Sequence, residues 1–181
     1  RQAFGEEFDA LYERYEAEGK WVKQVNAQDL WLKMCYSAIM TGTPYITFKD
    51  AVNRKTNQSN IGVIKSSNLC IEVMQVSTPT ETAVCNLASV NPVACIDRET
   101  KTFDFDKLGQ SVAILVRNLN KVIDRTFYPT EKCRRSNFRH RPMGIGLSGL
   151  HTAFMVLRYP FESPEARQLN REIYELSLIH I

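Results

Sequence analysis

Three polar side chains of different chemistry stand at alternate positions in the segment SSNLCIE, residues 66–72. If this segment is extended, Asn68, Cys70 and Glu72 project from one face, with neighbours about 7 Å apart. An amide, a thiol and a carboxylate would then offer a hydrogen-bond donor, a sulfur centre and a proton acceptor across the width of a sugar ring. From spacing alone a second interpretation stays open, in which Cys70 is a small buried residue at the end of a strand.

A second cysteine, Cys85, lies in the segment AVCNLAS, and taken alone it is best interpreted as a buried core residue. The chain has five cysteines, an odd number, and none forms a CxxC pair or stands with histidine at zinc spacing. We therefore predict no structural metal site. Because the sequence shows no secretory signal, we expect a reducing compartment.

Two further patterns admit a binding role. Residues Gly144–Gly149 spell GIGLSG, formally the GxGxxG of dinucleotide-binding folds. In such folds a second strand follows, and an acidic residue about 20 residues on binds the ribose. Here no second strand follows, and Glu162 and Glu165 come too early to be that residue. We therefore favour close strand–helix packing as the role of the glycines. An arginine-rich stretch precedes them, and we interpret it as a solvated loop or as a set of partners for carboxylates: Arg134, Arg135, Arg139, His140 and Arg141.

The composition is that of an ordinary globular chain, with 181 residues, 44% hydrophobic and 24% charged. A net charge of +3 is mild and argues against a nucleic-acid-binding protein. No apolar run approaches the roughly 20 residues of a membrane span.

Helices with short strands between them must position these residues. Apolar spacing and capping residues predict helices over 4–18, from Asn26 to Gly42, from Asp106 through Ile123, over 148–158, and from Ser163 onward. β-branched and aromatic residues predict strands over 45–48, 61–64, 71–76, 83–90 and 142–147, with a polar loop over 53–60. Because the strands are mostly apolar rather than two-faced, we expect a helix-covered α/β sheet without a linker that divides the chain.

Six segments, taken in order and spacing, resemble one family. In chain order they are GTPYITFKDAVNRKTNQSN, SSNLCIE, AVCNLAS fifteen residues later, VRNLNKVIDRTFYP, SNFRHRPMGIGLSGL and RYPFES. Together these segments are similar to the large catalytic subunit of class I ribonucleotide reductases. The resemblance covers residues 4–175. It implies that residues 1–175 are a central part, incomplete at both ends, of the family's ten-stranded α/β barrel. Residues 176–181 do not match, and we expect a truncated or artefactual end there, which resequencing the locus would test.

The resemblance also implies roles for individual residues. Cys70 would carry a transient thiyl radical that takes the C3′ hydrogen of the ribose, and Glu72 would accept the 3′-hydroxyl proton. Asn68 would hydrogen-bond the substrate hydroxyls, and Ser67 would join Asn68 and Glu72 in binding substrate. Cys85 would be a redox-active cysteine that ends as a disulfide with a partner outside this chain. Cys35, Cys95 and Cys133 match no functional position of the family, and we interpret them as structural.

For the whole enzyme, the resemblance implies reduction of ribonucleoside diphosphates to 2′-deoxyribonucleoside diphosphates, the precursors of DNA. A separate metal-containing small subunit would generate the radical, a second large subunit would complete a homodimer, and thioredoxin or glutaredoxin would be the reductant. ATP and deoxynucleotide effectors would bind regions outside this segment, which itself would hold no cofactor and no metal. The location would be cytoplasmic, without a nucleic-acid or membrane partner.

Three alternatives stay open at this point. The first is a cobalamin-dependent reductase, which shares the thiyl cysteine and its neighbours. The second is a dinucleotide-binding module, which would rest on GxGxxG alone. The third is a non-catalytic fragment derived from the barrel. If a bound nucleotide protects Cys70 from an alkylating reagent, the result would favour catalysis over the dinucleotide-binding module and the non-catalytic fragment. We expect the segment alone to be inactive and prone to aggregate, because an incomplete barrel exposes strand edges and apolar faces.

Overall fold

The computed structural model describes residues 2–179, and the chain divides into two compact units, one up to Ala83 and one from Val84. The sequence predicts no boundary at this point, since no linker divides the chain there. The first unit combines helices with long irregular segments, whereas the second combines helices with short strands. The predicted α/β class is confirmed by this mixture. Within the described residues, no helix has both the length and the apolar composition that crossing a membrane requires.

Helices α1 (Glu6–Ala17) and α2 (Ala27–Thr41) begin the first unit, close to the predicted positions. The Asn26 side chain caps α2 by accepting a hydrogen bond from the Asp29 amide at 3.1 Å. The helix ends at Gly42, whose φ of 75° lies in the left-handed region that a Cβ disfavours. Both signals are local, which is why the sequence alone could predict them.

The predicted strands over 45–48, 61–64 and 71–76 are wrong, since no described residue of the first unit belongs to a strand. A third helix, α3 (Lys49–Lys55), overlaps the start of the predicted polar loop over 53–60. β-branched residues favour a pleated backbone, but a strand forms only where a second backbone supplies its hydrogen bonds. In this unit side-chain amides supply several of those bonds.

The second unit contains two short pairs of strands. Leu87–Val90 (β1) runs parallel to Gly144–Leu147 (β4), and Ile96–Asp97 (β2) runs antiparallel to Thr102–Phe103 (β3). In the parallel pair, Leu87 lies opposite Gly144. Parallel strands need a long crossover connection, and here that connection carries two helices.

Helices complete the unit and build its core. After the 3-10 turn Pro92–Cys95 come α4 (Phe105–Arg125), α5 (Glu131–His140), α6 (Leu150–Leu157) and α7 (Pro164–Ile179). Of these, α4, α6 and α7 lie where the sequence predicts helices. Their apolar faces meet in a core whose members include Leu108, Val112, Phe154 and Ile173, none more than 4% exposed. Each such side chain contributes about 1.5–3 kcal/mol by its burial.

Two predictions for this unit are corrected by the structure. The arginine-rich stretch predicted as a loop is the helix α5, which is capped by Thr130 accepting from the Cys133 amide at 3.3 Å. Few apolar residues mark its buried face, so the helical period was not visible in the sequence. The strands predicted over 83–90 and 142–147 are both shorter than expected.

Candidate active site

The candidate catalytic residues of the first unit lie on an exposed turn. Asn68, Cys70 and Glu72 are all exposed. The Ile71 amide donates to the Asn68 carbonyl at 3.2 Å, and Ile71 has a φ of 64°. The prediction of one extended row of side chains is therefore wrong, because the chain turns back between Asn68 and Glu72.

This turn brings an amide and a carboxylate together. Asn68 Nδ2 donates to Glu72 Oε1 at 2.6 Å. In an extended strand, residues four positions apart would be separated by about 13 Å. The bond limits the orientations of the Glu72 side chain two residues from Cys70, whose thiol is accessible. The turn can thus present a proton acceptor, a hydrogen-bond donor and a sulfur nucleophile or radical site from five consecutive residues.

Ser67 and Asn68 also bind the backbone on the far side of the turn. Ser67 Oγ donates to Val73 O at 2.9 Å, and Val73 N donates to Asn68 Oδ1 at 3.2 Å. One asparagine therefore bonds both Val73 and Glu72 and holds the turn closed. These two side chains, which were predicted to bind substrate, are part of what shapes the loop.

Cys85, the predicted redox-active residue, lies in the second unit, two residues before β1. The residue is exposed, whereas its neighbour Asn86 is only 9% exposed. Burial alternates along this stretch, so Cys85, Leu87 and Ser89 share the open face of the strand. The interpretation of Cys85 as a buried core residue is wrong for the described structure.

Buried amides hold the backbone beside Cys85. Asn86 Nδ2 donates to Asn137 Oδ1 at 2.7 Å and to Pro142 O at 2.8 Å. The Asn86 carbonyl accepts from the Gly144 amide at 2.9 Å. The residue next to the candidate redox cysteine is thus bonded to α5, to the segment after it and to β4.

The glycines of the GxGxxG pattern permit close packing within the protein. A Cβ on Gly144 would lie 2.7 Å from Leu87 Cδ2, and a Cβ on Gly149 would lie 3.2 Å from Asn91 Oδ1. Gly149 also has a φ of 100°, which L-residues with side chains rarely adopt. These contacts support a packing role, although the neighbours are β1 and the segment after it rather than the expected helix.

The other cysteines have the surroundings of structural residues. Cys95 and Cys133 are buried, Cys35 is half-buried, and all five cysteines are free thiols. Burial raises the pKa of the Cys95 thiol, and the nearby Lys107 ammonium offsets part of the rise. Across residues 2–179, no group of three or more His, Cys, Asp or Glu side chains could hold a metal ion.

Arg134 and Arg141 of the arginine-rich stretch pair with carboxylates. Arg141 Nη1 donates to Asp124 Oδ1 at 2.9 Å. Arg134 Nη1 lies 3.6 Å from Glu131 Oε1, one turn away on α5. These pairs support the interpretation of the stretch as a set of carboxylate partners.

Two sets of amide side chains that position the candidate residues were not predicted from the sequence. Asn86 and Asn137 fix the backbone beside Cys85. In the first unit, Asn53 and Gln58 bond the segments that flank the turn. Both belong to the visible motif NRKTNQSN, but a polar run is typical of a solvated loop, whereas Asn53 is 8% exposed. No local signal marks which asparagine in such a run is buried.

Comparisons with known proteins agree with one another. A family profile described as "Ribonucleotide reductase, barrel domain" matches residues 1–180. The chain is 54% identical over 172 residues to the ribonucleoside-diphosphate reductase large subunit of Caenorhabditis elegans, and 48% identical over 195 residues to that of Arabidopsis thaliana. Its structure is similar to the class Id ribonucleotide reductase alpha subunit of Actinobacillus ureae, with a TM-score of 0.65 and 26% identity.

These relatives are much longer than this chain. The matches cover 95% of the chain and 22% of the C. elegans protein, and 98% of the chain and 24% of the Arabidopsis protein. The structural match covers 84% of the chain and 30% of the A. ureae subunit. The family match runs to residue 180 and does not set the last residues apart, so the boundary expected after residue 175 stays a prediction. Residues 180 and 181 lie outside the described part of the chain.

Proposed function

Because the chain belongs to the ribonucleotide reductase barrel-domain family, we propose that it carries the catalytic turn of a ribonucleoside-diphosphate reductase large subunit. The whole enzyme would reduce ribonucleoside diphosphates to 2′-deoxyribonucleoside diphosphates. One observation carries the proposal: residues 68–72 form an exposed turn in which an amide and a carboxylate bond to each other on either side of a cysteine. That is the set of groups which hydrogen abstraction, proton transfer and hydroxyl binding require.

In the proposed reaction, the Cys70 sulfur acts as a thiyl radical and takes the hydrogen atom from C3′ of the ribose. Glu72 accepts the 3′-hydroxyl proton, which helps the C2′ hydroxyl to leave as water. The bond from Asn68 to Glu72 Oε1 supports this assignment, because it orients the base before substrate arrives. At the end of the reaction the Cys70 thiol returns the hydrogen atom to C3′ and becomes a thiyl radical again.

Cys85 supplies reducing equivalents in the proposed reaction. Together with a second cysteine outside this segment, it gives up two electrons and two protons and forms a disulfide. One ribonucleotide and two thiols thus yield one deoxyribonucleotide, one water and one disulfide. The exposed position of Cys85 supports this role, since thiol–disulfide exchange requires access to the sulfur.

The remaining components of the enzyme are proposed from the family alone. A separate metal-containing small subunit generates the radical, two large subunits form a homodimer, and thioredoxin or glutaredoxin reduces the disulfide. ATP and deoxynucleotide effectors bind elsewhere on the large subunit, and the enzyme works in the cytoplasm. Ser67 contributes to substrate binding together with Asn68 and Glu72.

Cys70→Ser in the full-length protein tests the proposal. The assay measures deoxyribonucleotide formation from a ribonucleoside diphosphate, with the small subunit and a dithiol present. We expect turnover to fall to background, because the serine O–H bond is too strong for the same radical exchange. Cys35→Ser, at a half-buried cysteine without an assigned role, is the matched control and should retain turnover. Normal turnover by Cys70→Ser, with folding and substrate binding intact, would show that Cys70 is a structural residue.

A further inference from the structure

The loop that carries Cys70 is bonded at both of its ends by side-chain amides of one short motif. Asn53 lies on α3, and Gln58 lies in the turn that follows this helix. Both belong to NRKTNQSN, which the proposed chemistry does not use. The bonds made by these two residues delimit residues 65–75, the loop between Ile64 and Val76.

Asn53 holds the segment that enters the loop. Asn53 Oδ1 accepts from Ile64 N at 2.8 Å, and its Nδ2 donates to Ile64 O at 2.9 Å. The same Nδ2 donates to Lys49 O at 2.9 Å, which ties the side chain to its own helix. The amide therefore pairs with both backbone groups of Ile64, as a neighbouring strand would. Ile64 is 3% exposed, so these bonds are shielded from water.

Gln58 holds the segment that leaves the loop. Gln58 Oε1 accepts from Val76 N at 2.8 Å, and Val76 is 4% exposed. The Gln58 backbone is itself fixed, because its carbonyl accepts from Ile61 N at 2.9 Å. A Cβ on Gly62 would lie 3.3 Å from Val76 Cγ1, so the entering and leaving segments are in close contact.

We infer that Asn53 and Gln58 are positioning residues that act as a two-point clamp on the catalytic loop. Between the clamped ends, the loop closes on itself through Ser67, Asn68 and Val73, and the exposed Cys70 lies at its tip. Since no strand ladder holds residues 65–75, the two amides provide the fixed points from which the tip is held. The inference rests on the proposed function of Cys70 and explains how that residue is kept in place.

Gln58→Met and Gln58→Glu in the full-length enzyme test the clamp as a matched pair. Methionine keeps the length of the side chain but cannot accept the Val76 hydrogen bond effectively, whereas glutamate keeps an acceptor oxygen. We expect Gln58→Met to lower kcat by about 10- to 100-fold, the range that a displacement of about 1 Å at a reacting group produces. Gln58→Glu should stay within a few-fold of the wild type, and KM should change less than kcat in both variants.

Val52→Ala serves as the control for general destabilisation, since it removes packing between α3 and the loop but leaves the hydrogen bonds of Asn53 and Gln58 in place. At a similar fall in melting temperature, it should retain turnover. Hydrogen exchange supplies a readout independent of activity: peptides spanning residues 64–76 should exchange about fivefold faster in Gln58→Met, and α1 should not change.

Three results would overturn the inference. The first is a Gln58→Met variant whose turnover equals that of Val52→Ala. The second is an equal loss of kcat in Gln58→Met and Gln58→Glu. The third is an unchanged rate of amide hydrogen exchange over residues 64–76 in Gln58→Met. Cys70→Ser is assayed alongside to separate the two proposals. If Cys70→Ser keeps turnover, the proposed function fails, and the exchange data alone decide whether the loop is clamped. If Cys70→Ser is inactive and Gln58→Met is fully active, the function stands and the clamp fails.

Discussion

Asn137 shows how one buried amide can serve several segments of the chain. It is 1% exposed, accepts from Asn86 Nδ2 at 2.7 Å, and donates from its own Nδ2 to the Tyr128 hydroxyl. The Tyr128 hydroxyl in turn donates to Ile123 O at 2.7 Å. The network therefore links the last turn of α4 to the residue beside Cys85. Removing Asn137 leaves the buried Asn86 Oδ1 without its donor, Asn137 Nδ2.

Asn137→Ala should lower the free energy of unfolding of the second unit by about 1–3 kcal/mol, the cost of an unsatisfied buried polar group. Native-state hydrogen exchange of β1 amides in the full-length protein measures this loss. Asn118→Ala is the matched control, because it makes the same substitution at an exposed position of the neighbouring helix α4. If both variants exchange at the wild-type rate, the network does not stabilise the unit.

Among the elements, α4 has the clearest local signals. The Asp104 side chain accepts from Lys107 N at 2.8 Å and so satisfies one of the free amides of the first turn. Leu108, Val112 and Ile123 follow at helical spacing and are all buried. The apolar period lies within the segment itself, which is why the sequence predicts this helix from Asp106, and the structure adds the cap at Asp104.

Asp104→Ala should destabilise the first turn of α4 by about 1 kcal/mol, whereas Asp104→Asn should cost much less because asparagine also caps well. Hydrogen exchange of the amides that begin α4 in the full-length protein measures the difference. Equal exchange in the alanine and asparagine variants would mean that the cap contributes nothing.

Strand pairing and the candidate site could be predicted only in part. The segment 71–76 has the β-branched residues of a strand, but the bond from Gln58 takes the place of a strand neighbour at Val76. Likewise, the identities of Asn68, Cys70 and Glu72 were visible, whereas their arrangement on a turn depends on Ile71 adopting a positive φ. Isoleucine rarely adopts that conformation, so no local preference could have indicated it. The family resemblance supplied the roles of these residues, and the structure supplied their geometry.

At the scale of the whole molecule, much apolar surface of the first unit is open to solvent. No residue of α2 is buried, and two of its apolar side chains, Trp31 and Ile39, are 56% and 82% exposed. Phe48, which precedes α3, is 74% exposed. Patches of this kind mark surfaces that associate with other protein. The relatives continue well beyond the length of this chain, which leaves ample additional sequence to cover such a surface.

The 181-residue chain, produced alone, should therefore self-associate at micromolar concentration, as analytical ultracentrifugation would show. Ile39→Asp should shift the distribution towards monomer by introducing a charge into the apolar surface. Lys33→Gln, on the same helix at an exposed polar position, is the control and should leave the distribution unchanged. A stable monomer of the unmodified chain at these concentrations would contradict the prediction.

The parallel pairing of β1 with β4 also sets an order of events during synthesis. Leu87 pairs with Gly144, and the whole of α4 and α5 lies between them in the sequence. At about 5–20 residues per second, β4 leaves the ribosome some 3–11 seconds after β1. Through that interval Asn86 has neither Asn137 nor the Gly144 amide to bond, and the edge of β1 is available to other nascent chains. The segment that carries the candidate redox cysteine is thus made early in its unit but cannot reach its native pairing until β4 has followed, and a chaperone could protect the edge of β1 during that interval.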